Sequence, residues 1–80
     1  MKLPRDISGQ SLAKKLSRFG YEITRQTGSH IRLSTIQKGE HHTTIPDHKE
    51  LKVGTLSGII ADVAQHLEMS KDQVIKNLFE

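Results

Sequence analysis

The chain has 80 residues, a net charge of +3, no cysteine and three aromatic residues, Phe19, Tyr21 and Phe79. This composition excludes disulfides, thiolate metal sites and a cysteine nucleophile, and it fits a reducing compartment. No long apolar run opens the chain, so neither a signal peptide nor a membrane span is expected, and the reading is a cytoplasmic protein. Eighty residues make one domain, 1–80, with a thin Leu, Ile and Val core that is only marginally stable alone. The charge is uneven: residues 1–40 carry eight Lys/Arg against three acids, and residues 41–80 carry four against six. A basic first half favours contact with phosphates.

Ser8 is placed to cap a first helix, with Ile7 and Leu12 at the spacing of a hydrophobic staple. Leu12, Leu16 and Phe19 follow as one apolar stripe, and Lys14, Lys15 and Arg18 fall away from it. Gly20 ends the helix. Residues 21–26 alternate with period two, putting Tyr21, Ile23 and Arg25 on one face of a first strand. Thr27-Gly28 supplies a turn. A second strand over about 29–36 sends Ile31, Leu33 and Thr35 one way and His30, Arg32 and Ser34 the other. A second turn at 37–40 leads to a short third strand, 41–45, which Pro46 stops.

Gly54-Thr55 opens a second helix. Leu56, Ile59, Ile60, Val63 and Leu67 give it a strong amphipathic stripe, and Gly58 within it suggests close packing. Ser70 to Gln73 reads as a capping box with Met69 and Val74 as its staple, beginning a short third helix. The order α-β-β-β-α-α predicts an α+β fold with helices on one face of a three-stranded antiparallel sheet.

Within this layout His30 is the residue best suited to chemistry. It begins a strand just after a glycine turn, on the face away from the core. Imidazole titrates near neutrality, at about pH 6.5, so it can accept and donate protons on a polyanion such as RNA. The alternative is an ordinary polar surface histidine.

Gly28-Ser29-His30, Ile45-Pro46-Asp47-His48 and the run Leu51 to Leu56, in this order and layout, resemble the HicA (YcfA-like) toxins of HicA–HicB toxin–antitoxin pairs. The resemblance covers about residues 8–67 and leaves 68–80 as a C-terminal extension. It implies a double-stranded-RNA-binding-domain-like fold, metal-independent endoribonuclease activity on mRNA, and neutralisation by a HicB-type antitoxin. It carries the catalytic histidine to His30 and a second, less defined histidine to His48. The extension departs from many members, with three readings open: a larger core, a dimer contact or altered antitoxin binding. The basic cluster of a typical duplex-binding domain is missing at the second helix, where only Lys49 and Lys52 lie near.

On this reading His30 acts as general acid or base in attack of a 2′-OH on the adjacent phosphorus. Arg32 and Arg25 are candidates to hold the phosphate, Ser29 offers a hydroxyl, and Lys14, Lys15 and Arg18 offer salt-sensitive backbone contacts. No cofactor is expected. No metal site is expected either: His41 and His42 are neighbours in a strand and point to opposite faces. His66 reads as a surface residue. Two other functions fit the same fold, a non-catalytic RNA-binding domain and a protein-interaction module.

Overall fold

The structure, a computed structural model, describes residues 3–80. Helix α1 (Gly9–Leu16) is capped by the Ser8 hydroxyl, which accepts the Ser11 amide at 3.0 Å. A 3-10 turn, Ser17–Phe19, carries the chain to Gly20. Strands β1 (Glu22–Thr27), β2 (His30–Thr35) and β3 (His41–Pro46) form one antiparallel sheet in that order. Helices α2 (Val53–Leu67) and α3 (Lys71–Phe79) follow. The result is an α+β arrangement of the double-stranded-RNA-binding-domain type, α-β-β-β-α, with α3 added. Among the described residues no helix is long and apolar enough to cross a membrane.

The sheet is covered on one side only. Ile31, Leu33 and Ile45 are fully buried against Leu12 and Leu16 of α1 and Leu56, Ile60 and Val63 of α2. Each such side chain contributes about 1.5–3 kcal/mol by leaving water, which is how a chain this short offsets its ordering entropy. Helix α3 joins the same core through Val74, Ile75 and Leu78. Its predicted capping box is present, with Ser70 accepting the Gln73 amide at 3.1 Å and Gln73 accepting the Ser70 amide at 2.9 Å.

Four local features differ from the sequence expectation. The first hairpin turn is Gly28-Ser29, because Thr27 and His30 are already paired; Gly28 takes φ 53, the positive angle required at the first central position of such turns. Helix α2 starts one residue early, at Val53, with no side-chain cap at Lys52. Gly58 is exposed, and a Cβ there would meet nothing within 4 Å, so it marks no close packing.

The fourth difference is in β1. Ile23 pairs with Leu33 and Arg25 with Arg32, so Thr24 is an extra residue, a β-bulge. Opposed residues in an antiparallel pair share a face. Ile23 therefore stays on the helix side with Leu33, and Arg25 moves to the open side with Arg32. Simple alternation would put Ile23 and Arg25 together.

Candidate functional site

The open face of the sheet carries the polar half of every strand. Across it run Glu22, Arg25 and Thr27 from β1, His30, Arg32 and Ser34 from β2, and His42, Thr44 and Pro46 from β3. His30 is the first residue of β2, flanked by Thr27 on one side and Pro46 on the other. It is exposed and has no hydrogen-bond partner among the described residues, so both ring nitrogens are accessible to a ligand.

The backbone around His30 is fixed. The Asp47 amide donates to the Ser29 carbonyl at 2.7 Å, tying the end of β3 to the first hairpin turn. The Gln26 amide group donates to Asp47 Oδ2 at 3.4 Å. One layer further back, the Gly9 amide donates to the His48 carbonyl at 2.9 Å and the Leu51 amide to the Ile7 carbonyl at 2.8 Å. Gly9 is required there by close approach, since a Cβ would overlap the Pro46 carbonyl oxygen. The segment 46–48 is thus clamped between α1 and β2, and it holds the strand end that presents His30.

Arg32 lies two positions along the same strand and face as His30, directly opposite Arg25. Both arginines are exposed, and neither forms an ion pair with a carboxylate among the described residues. Thr44 stands opposite Arg32 on the other side.

The remaining candidates are dispersed. Ser29 is in the turn beside His30. His48 is exposed in the loop after β3. Lys14, Lys15 and Arg18 lie in the helix layer behind the sheet. Two of them are engaged by α3: Arg18 Nη1 donates to the Asn77 carbonyl at 2.9 Å, and Lys15 Nζ sits 5.6 Å from the Phe79 ring centre.

His41 and His42 do point to opposite faces. His42 pairs with Glu40 at 3.0 Å on the open side. His41 faces α2 and belongs to a network that the sequence did not announce. The Tyr21 hydroxyl lies 2.7 Å from His41 Nδ1, and His41 Nε2 lies 3.3 Å from Asp62. In the neutral ring, Nε2–H donates to the carboxylate and Nδ1 accepts the phenol. His66 stacks on His41 with ring centres 4.4 Å apart, and its Nε2–H donates to the Gln37 and Gly39 carbonyls at 2.8 and 3.0 Å. His66 is therefore not a free surface group; it fastens α2 to the β2–β3 turn. Burial, with the Asp62 charge adding to it, pushes the Tyr21 phenol up to about 12. The network braces the fold at the end of the sheet away from His30.

Residues 9–64 match the family described as HicA toxin of bacterial toxin–antitoxin. The chain belongs to the HicA toxin family. The matched stretch runs from the first residue of α1 to near the end of α2 and contains the whole sheet, His30 included. Helix α3 lies outside it. No curated protein and no solved structure matches the chain. Membership in the HicA toxin family makes this protein a toxin of a toxin–antitoxin system, with an antitoxin as its partner.

Proposed function

We propose that this toxin is a metal-independent endoribonuclease that cleaves mRNA on the open face of its sheet, with His30 as the proton-transfer group. The observation that carries this reading is the placement of His30. It is an exposed, unbonded imidazole on a clamped strand end, with two unpaired arginines on the same face. RNA brings its own nucleophile. His30 takes the 2′-OH proton as the 2′-oxygen bonds to phosphorus, the bond from phosphorus to the 5′-oxygen breaks, and the departing oxygen takes a proton from solvent. The products are a 2′,3′-cyclic phosphate and a 5′-hydroxyl end. Positioned proton transfer of this kind is worth a factor of about 10² to 10⁴. Charge stabilisation by nearby cations adds to it.

In this proposal Ser29 and His48 flank the reacting phosphate, and Arg25 and Arg32 extend the contact along the sheet. The helix-layer cations Lys14, Lys15 and Arg18 lie off this track. A HicB-type antitoxin neutralises the toxin, and α3 provides the surface for a homodimer contact if one forms.

Product chemistry tests the reaction. Cleaved RNA should carry cyclic phosphate and 5′-hydroxyl ends, and a single 2′-deoxy substitution at the scission site should abolish cleavage there. Ends bearing a 5′-phosphate, or undiminished cleavage at the deoxy position, would rule this mechanism out.

A further inference from the structure

The bulge at Thr24 places Arg25 opposite Arg32 on the exposed face. Like charges directly opposed across strands are destabilising. Here neither arginine forms an ion pair with a carboxylate among the described residues, although Glu22, opposite Ser34, stands on the same face. Bulges re-aim single side chains, and this one removes Arg25 from the face of Ile23 and sets it beside a second guanidinium. Two forked donors at opposed positions on one face suit an oxyanion with several acceptor oxygens, which a phosphodiester supplies. Thr44 stands opposite Arg32 on β3, on the same face.

The position of the pair matters. Arg32 is two residues from His30 along β2, and Arg25 is two residues from Thr27, the residue paired with His30. Arg32 is therefore displaced from His30 by one two-residue strand repeat, about 6.7 Å, and Arg25 is displaced by the same repeat along the neighbouring strand. An anion shared by both arginines would lie next to a phosphate at His30, and would be a different one.

We propose that Arg25 and Arg32 form a single subsite for the phosphate adjacent to the one at His30, so that the substrate is a single-stranded RNA spanning at least two consecutive phosphates along the open sheet face. The subsite rests on the nuclease reading for its role, but its binding function can be tested separately.

The probe is a 2′-O-methyl hexanucleotide, which binds but offers no 2′-OH. Its affinity is measured by fluorescence anisotropy at several salt concentrations for wild type, Arg25→Gln, Arg32→Gln and the double variant. Each single change should weaken binding about tenfold, as expected for loss of a charge-assisted hydrogen bond. Because one phosphate is shared, the double variant should be little weaker than either single one. The slope of log affinity against log salt should fall by about 0.7, the value for one single-strand phosphate. Melting temperatures should hold or rise, since the repulsion is relieved; a structural role would lower them. Unchanged affinity in the variants, no binding by wild type, or fully additive losses with two separate steps in slope would each overturn the subsite. Parallel cleavage of the unmodified strand separates the two readings. Cleavage by wild type with arginine-independent binding removes the subsite and keeps the nuclease. Arginine-dependent binding without cleavage keeps the subsite and removes the nuclease.

Discussion

His30 and Tyr21 show how the same fold sets two polar side chains to opposite uses. His30 is left open at a strand end; Tyr21 is buried, its hydroxyl held by His41, with the Asp62 carboxylate near enough to disfavour a phenolate. The folded protein retains the Tyr21 proton up to about pH 12, whereas the unfolded chain loses it near 10. This group therefore leaves stability untouched below about pH 10 and lowers it as pH rises toward 12, by on the order of 2 kcal/mol. Tyr21 is the sole tyrosine and there is no tryptophan, so tyrosinate absorbance reports it directly. A titration midpoint near 10 with the fold intact would contradict the buried network.

Gly9 is the other residue on which the site depends. Gly9→Ala would drive a Cβ into the Pro46 carbonyl and loosen the bond from the Gly9 amide to His48. Overpacking of this kind costs roughly 1–3 kcal/mol. The expected result is a lower melting temperature together with faster amide exchange at Asp47, whose bond to Ser29 holds the His30 turn. An unchanged melting temperature would show that segment 46–48 yields easily.

Among the elements, the helices were the most legible in the sequence. Caps and stripes are local, and Ser8, Ser70, Leu56 and Val63 behave as their spacing predicts. The strands were legible in number and order, and His30 and Arg32 stand on the predicted face. The position of Arg25 was not legible, because a bulge is decided by how two strands fit and not by the alternation within one. The same limit hid the role of His66, whose partners are carbonyls 27 and 29 positions away. Gly58 misled for the opposite reason: a helical glycine suggests a close neighbour, and here there is none. Gly58→Ala should accordingly stabilise α2 by about 1 kcal/mol, seen as a raised denaturation midpoint. A loss of stability would mean that the position is crowded after all.

At the scale of the molecule, two layers divide the work. The helix layer supplies the core, and the open sheet face carries exposed cations and His30. Helix α3 lies outside the family match but is not an appendage, because it buries Val74, Ile75 and Leu78 in the common core. It also engages Lys15 and Arg18, two cations that the charge pattern alone would assign to RNA. Removing residues 70–80 should cost several kcal/mol at about 1.5–3 kcal/mol per lost core side chain, most of what a small domain has. Circular dichroism should show the shortened chain largely unfolded at ambient temperature. A cooperative melt close to that of the full chain would mean that the matched region is self-sufficient.

We propose His30, at the head of β2, as the RNA-cleaving group. Its most direct test is cleavage of a long single-stranded RNA in excess EDTA by purified toxin, free of antitoxin, beside His30→Ala of matched melting temperature. Cleavage by the wild type is expected, with a loss of at least about a hundredfold in the variant. Equal cleavage by both proteins, or none by folded wild type, would contradict it.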